Sequence, residues 1–221
     1  MTTSGNSLVA ASRSMDRGRA DFTQFAASED AHRVANWAFA SGNTQGLPFI
    51  VVDKRNARLF LFGADGIARA SVPVLLGAGR GDDSPPGIGE RSLASMTPAE
   101  RITPAGRFVA GRGKNLAGQD ILWIDYDAAI SLHRATDVKP GLPAKDRLGR
   151  LASTSLVDKR ISHGCVNVTT AFYDDFIRTT FDASAGIVYI LPDTKPIGDV
   201  FDVPASNRHV QGQSRPAGLA G

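Results

Sequence analysis

The sequence holds a single cysteine in 221 residues. That excludes an intramolecular disulfide, so oxidative stapling plays no part in stability. Long apolar runs are missing as well. Near the start the longest is Leu8 to Ala11, far short of a membrane span or a signal-peptide core. Either the protein is made without an export signal, or this chain is a mature or shortened form. Excess charge is small, with 25 Lys and Arg against 22 Asp and Glu. A net charge of +3 is too little for nucleic-acid binding, which needs a dense basic patch with stacking aromatics. It is only weakly compatible with an acidic partner. Aromatics are few, at 7%, and no internal repeat is visible.

What is present is an ordinary globular composition, 42% apolar, in a chain long enough to bury about 70% of its unfolded surface. Twenty-three glycines and 12 prolines imply many turns and a β-rich body. Residues 1–27, rich in Ser, Thr, Arg, Gly and Ala without periodicity, read as a disordered or loosely attached leader. Residues 28–47 read as a helix and linker: Ser28 is an N-cap ahead of Glu29 and Asp30, and Ala31, Val34, Ala35, Ala38 and Phe39 fall at helical spacing up to Gly42.

From Pro48 the pattern changes to short apolar runs bounded by turn residues. Strands are expected at Phe49–Val52, Leu59–Phe62, Val72–Leu76, Phe108–Ala110, Ile121–Ile124, Ala129–His133 and Ile187–Leu191. Strands following one another with few helices between favour a sandwich or closed sheet, mainly β with a few short helices packed on it. One such helix is expected from about Thr170 to Phe181, capped by Thr170, with Phe172, Phe176 and Ile177 inward. Gly77-Ala78-Gly79-Arg80-Gly81 invites a phosphate-loop reading, but Asp-Asp-Ser-Pro-Pro follows. That run cannot open a phosphate-binding helix, and a surface loop over 77–92 is expected instead. Residues 193–221 turn polar and Pro/Gly-rich and read as a loosely packed tail.

The cysteine lies in Ile161-Ser162-His163-Gly164-Cys165-Val166-Asn167. On an extended segment, residues two apart share a side, so His163 and Cys165 can exchange a proton. A thiolate so formed is a nucleophile for acyl transfer. Gly164 permits a turn that a β-carbon would hinder. Ser162 can steady the histidine, and Asn167 offers an amide to orient the loop or a substrate. A zinc reading from His133, His163 and Cys165 is disfavoured, because His-X-Cys lacks the usual paired ligand spacing.

Ser-His-Gly-Cys-Val-Asn resembles the active-site signature of the L,D-transpeptidase (YkuD-type) catalytic domain family. Thr103-Pro104-Ala105-Gly106-Arg107-Phe108 is similar to that family's Thr-Pro-x-Gly-x-Phe element, and His133 matches its upstream histidine. The likeness spans about residues 48–192. It implies a catalytic domain there with an L,D-transpeptidase-like β-sandwich fold. Cys165 would be the nucleophile and His163 the general base, with Ser162 and Gly164 shaping the turn. The amides around Gly164 and Cys165 would form the oxyanion hole. His133, Asn167, Thr103 and Gly106 would contact substrate, with no metal and no cofactor. The implied donor is a peptidoglycan tetrapeptide stem. Cys165 would displace its terminal D-alanine, and a neighbouring stem's amine would resolve the thioester into a 3→3 cross-link. The implied location is the periplasm or cell envelope.

Two features depart from that pattern. Twenty-eight residues separate His133 from Ser162, about twice the spacer usual in the family. Within 145–160, Lys145, Arg147, Arg150, Lys159 and Arg160 outnumber Asp146 and Asp158. The plain reading is a solvated loop, and the sharper one is a lid whose basic residues meet stem carboxylates. No peptidoglycan-binding repeat flanks the domain. Two further functions stay open at this stage: an L,D-carboxypeptidase or amidase that hydrolyses stems, and an inactive wall-binding module that keeps the fold.

Overall fold

The computed structural model describes residues 18–23, 25–136, 146–182 and 185–204. Their fold is mainly β. Eight strands form one sheet in the order β3-β2-β1-β10-β5-β6-β7-β9. They are β1 (Phe49–Asp53), β2 (Arg58–Phe62), β3 (Ala68–Pro73), β5 (Gly106–Lys114), β6 (Asp120–Asp125), β7 (Ile130–Arg134), β9 (Val166–Val168) and β10 (Gly186–Ile190). A separate parallel pair joins β4 (Leu76–Gly77) to β8 (Arg160–Ser162).

The hinge of the architecture is β5. Its first half, Gly106 to Ala110, pairs with β10, and its second half, Gly111 to Lys114, pairs with β6. The sheet thereby divides into two halves that enclose one core. Ile50, Leu61, Leu122, Leu132, Val166 and Val188 all lie in it, joined by Phe172 and Ile177 of the helix after β9. That helix runs as α3 (Thr170–Phe172), a π turn (Tyr173–Ile177) and α4 (Arg178–Thr180). Its cap is Thr169 rather than the expected Thr170: the Thr169 hydroxyl accepts from Phe172 N–H, because Thr169 is the last extended residue before the turn.

β1 is buried along its whole length, since a helix covers its second face. In α1 (Glu29–Ala40) the Ser28 hydroxyl accepts from Ala31 N–H at 3.1 Å and donates to Asp53 Oδ2 at 2.6 Å. The cap thus also fixes where the helix sits. Ala31, Val34, Ala35 and Ala38 form its buried stripe, small enough to bring the helix axis close to Phe49, Val51, Phe60, Phe62, Ile187 and Tyr189. The expected leader is packed where it is described: Ala20 and Phe22 are buried in this outer layer, and Asp21 bridges Ile67. The expected tail likewise contributes Ile197, Phe201 and Val203. Together with α1 these residues cover the outer face of the sheet.

The segment 77–92 is irregular as expected, but it is no surface loop. Asp82 is buried and accepts from the amides of Asp193, Thr194 and Lys195 and from the Thr194 hydroxyl. Lys54 Nζ, fully buried, donates to Asp82 Oδ1 at 2.9 Å and to the carbonyls of Gly81 and Thr103. Arg160 reaches Asp193 Oδ1 at 2.6 Å. Two cations and two carboxylates interlock here, tying β1, the 77–105 segment, β8 and the chain after β10 together. The glycines of the run serve backbone approach rather than phosphate: a β-carbon on Gly77 would collide with the Arg101 carbonyl.

Among the described residues no helix is long and apolar enough to cross a membrane.

Candidate active site

β9 lies parallel to β7, with Leu132 opposite Val166 and His133 opposite Asn167. Leu132 and Val166 point into the core. Side chains alternate along a strand, so Ser131, His133, Cys165 and Asn167 share the opposite face. There the Cys165 sulfur stands 3.6 Å from Ser131 Oγ and 3.7 Å from the Ala129 carbonyl. Ala129 has φ 55°, a left-handed conformation that costs an L-residue about 1–2 kcal/mol.

The turn before Cys165 is fixed at each backbone group that the hydrogen bonds reach. Gly164 has φ 127°, and a β-carbon there would sit 2.5 Å from Ile130 Cδ1 and 2.8 Å from the Ile102 carbonyl oxygen. Ser162 Oγ donates to the Cys165 carbonyl at 2.6 Å and accepts from Gly164 N–H at 3.1 Å. Thr103 Oγ1 donates to the Gly164 carbonyl at 2.7 Å and accepts from Gly77 N–H at 2.8 Å. Ser162 and Gly164 therefore hold the backbone of this turn.

The His133 imidazole bears on the thiol. Burial pushes the Cys165 thiol up, but the hydrogen bond and charge of His133, with Ser131, outweigh it and hold the thiol below its ordinary value. His133 Nδ1 is 2.9 Å from the Arg134 carbonyl, which can only accept, so Nδ1 carries the proton. Nε2 then holds the lone pair, and the Asn167 amide nitrogen donates to it at 2.9 Å. Both contacts agree on one tautomer for the neutral ring, and the charge that favours the thiolate is that of the imidazolium formed when Nε2 also takes a proton. Arg134 is itself anchored by Asp120 and Asp174 and lies 4.1 Å over the Tyr173 ring, which steadies the end of β7.

These positions sharpen the sequence reading. Gly164 turns the chain between β8 and β9, which belong to different sheets, and His163 stands half-buried at the head of that turn. Thr103 is fully buried and Asn167 1% exposed, so neither can contact substrate directly, and both position the site instead. Gly106 opens β5 opposite Ile190. Gly164 N–H is already engaged by Ser162, which leaves the Cys165 N–H as the turn's candidate oxyanion donor. Of the basic residues expected in a lid, Lys159 is buried and donates to the carbonyls of Arg150 and Leu151, closing α2 (Arg147–Ala152). Arg160 belongs to the ionic knot. Residues 137–145 lie outside the described residues.

Sequence reasoning missed Ser131 and the carbonyls of Ala129 and Arg134. Period-two alternation along β7 would have placed Ser131 beside His133. Among the described residues no group of three or more His, Cys, Asp or Glu side chains is arranged to hold a metal.

No protein-family model and no curated protein sequence matches this chain. Solved structures to which it is similar include a mutant L,D-transpeptidase of Enterococcus faecium, at 17% identity and TM-score 0.36, covering 65% of this chain and 49% of that one. The helical cell shape determining protein Pgp2 of Campylobacter jejuni aligns at 16% identity and TM-score 0.43, covering 67% and 49%. An L,D-transpeptidase of Mycobacterium smegmatis aligns at 15% identity and TM-score 0.37, covering 65% and 58%. The chain spans about half the length of the first two of these structures.

Proposed function

We propose that the protein is a cysteine acyltransferase that forms a thioester at Cys165 with a peptidoglycan stem peptide and passes the acyl group to an amine of a second stem. One observation carries the reading: a half-buried thiol stands beside Ser131 on the face that also bears His133, in a turn whose conformation is fixed by Ser162 and Thr103. The choice of stem peptides follows the Ser-His-Gly-Cys-Val-Asn signature, and with it goes a periplasmic or envelope location.

His133 Nε2 takes the Sγ proton, and the thiolate attacks the carbonyl carbon. The tetrahedral oxyanion gains the Cys165 N–H. Collapse breaks the C–N bond, the leaving amine takes the proton from Nε2, and a thioester remains. An acceptor amine then attacks, giving its proton to His133, and the thiol is regenerated with that proton. No redox step and no cofactor enter this ping-pong sequence. Asn167 follows the proton. When Nε2 becomes a donor, Nδ2–H can no longer point at it, and a half-turn of the amide presents Oδ1. That oxygen is buried and without a partner in the resting arrangement.

Incubation with a disaccharide tetrapeptide tests the reading. Intact-protein mass spectrometry should find an adduct equal to the stem minus its terminal residue, absent in Cys165→Ala, and a cross-linked dimer among the products. Tripeptide without dimer would make the enzyme a hydrolase. No adduct with any stem or β-lactam would refute the thioester.

A further inference from the structure

The face of the sheet that carries Cys165 continues beyond the thiol. Gly111 of β5 pairs with Trp123 of β6, and Trp123 pairs with Ser131 of β7, whose hydroxyl touches the Cys165 sulfur. The core takes Ala110, Leu122 and Leu132 from these strands, so Gly111, Trp123 and Ser131 point the other way, in one row with the thiol. Two strand spacings of ~4.8 Å put the Trp123 backbone about 10 Å from that of Cys165.

Trp123 packs into none of the buried clusters. Its indole lies over Gly113, where a β-carbon would meet Cδ1 and Nε1. Tyr126 stacks on it, ring centroids 4.8 Å apart and planes 26° from parallel, and Tyr126 is 67% exposed. The turn bearing Tyr126 is held by Asp125, whose Oδ1 accepts from the amides of Asp127 and Ala128 at 3.0 and 3.2 Å. The chain has only two Trp and three Tyr. Two of these five form a rigid stacked pair on the solvent side, on the thiol's own face, with no core to pack. A large exposed aromatic surface of this kind marks a binding site.

We propose that Trp123 and Tyr126 form a glycan subsite on which a sugar ring of the donor lies flat while its stem peptide runs along the face to Cys165. This rests on the reading of the substrate as a glycan-linked stem. Two observations select a sugar ring. The outer face of the pair is flat and uncharged, and it matches the C–H face of a pyranose, whereas an extended peptide would seek strand-edge hydrogen bonds. The reach also agrees: a tetrapeptide that loses its last residue leaves three residues between sugar and scissile carbonyl, about 10 Å when extended.

The test compares kcat/KM for free tetrapeptide and for disaccharide tetrapeptide. Wild type should prefer the glycan-bearing donor by about 3- to 10-fold, the worth of one good aromatic contact. Tyr126→Ala and Trp123→Ala should bring the ratio toward 1. A merely structural role would lower both rates together and leave the ratio unchanged, which would overturn the proposal, as would a wild type indifferent to the glycan. A second measurement needs no turnover. Titrating stem-free disaccharide should change tryptophan fluorescence saturably in wild type and leave Trp123→Phe unchanged; a silent wild type would overturn the subsite. Saturable fluorescence without any acyl-enzyme would keep the subsite and discard the thioester chemistry instead.

Discussion

Replacing Thr103 by Val isolates the contact that locks the catalytic turn. The side chain is fully buried, and its hydroxyl joins Gly77 N–H to the Gly164 carbonyl. Valine keeps the branched shape, so no cavity opens. It strands one buried donor and one buried acceptor, each costing about 1–3 kcal/mol. The loss should therefore be about 2–6 kcal/mol, which at a urea slope of about 2 kcal/mol/M moves the unfolding midpoint down by roughly 1–3 M. Thr103→Ser keeps the hydroxyl and removes one methyl, worth about 1 kcal/mol. Tryptophan fluorescence in urea reads both variants. In native buffer Thr103→Val should also move the pH midpoint of Cys165 alkylation upward, because a looser Gly164 no longer holds the sulfur against Ser131 and His133. If the valine variant unfolds within about 0.5 kcal/mol of wild type, the hydroxyl bridge does not hold the turn and the positioning argument fails.

Iodoacetamide labelling of wild type should have its midpoint below the ordinary thiol value of about 8.5, with reactivity present above the depressed pKa and lost as pH falls through it. His133→Ala should move the midpoint to or above that value, because burial of the sulfur remains when its counter-charge is gone; an unmoved midpoint would return the base to His163. Asn167→Asp, a permanent acceptor toward Nε2, should shift the midpoint further down, and Asn167→Leu should shift it up; identical profiles would remove Asn167 from the proton relay. Asp82→Ala should cost about 3–5 kcal/mol by leaving Lys54 buried without its carboxylate, read as a drop in thermal midpoint. In wild type, burial pushes the Asp82 carboxyl up, but Thr194, the Lys195 and Asp193 amides and Lys54 together hold it far below the carboxylate range. Its contribution is full above about pH 4 and is lost as pH falls toward the lower folded value, so acid unfolding should begin near there and be absent from the already weakened Asp82→Ala.

Much of the fold could be read from local pattern, and the exceptions have physical causes. Apolar runs marked β1, β2, β6, β7 and β10 to within a residue or so, because each buries at least one face along its full length. β5 extends well past Phe108–Ala110 since its second half carries Gly111, Arg112 and Gly113, residues without strand propensity that pairing with β6 recruits. β4, β8 and β9 are two or three residues long, too short for any periodicity, and exist only because distant segments supply their partners. Asp82 was misread for a related reason. In sequence Asp82-Asp83 resembles a solvated acid pair, whereas Lys54 and the amides of 193–195, which make burial of Asp82 tolerable, lie 28 and more than 110 positions away.

The site shows the same division more sharply. Cys165, Ser162 and Gly164 were legible because their interactions close within the turn itself. The place of the second imidazole was less legible. Adjacency in the chain favoured His163, whereas the structure also sets His133 of β7, 32 positions upstream, on the same face as Cys165, delivered by a parallel pairing that no local pattern encodes. Parallel neighbours need a crossover, and the crossover here is the whole stretch between His133 and Ser162. That stretch therefore has a role independent of any lid: it lets β9 return beside β7 in the register that sets Asn167 against His133 and Cys165 beyond Ser131. A shift of one residue in that register would turn Cys165 into the core and Val166 onto the site. The chemistry is thus fixed by strand pairing first and by the motif second.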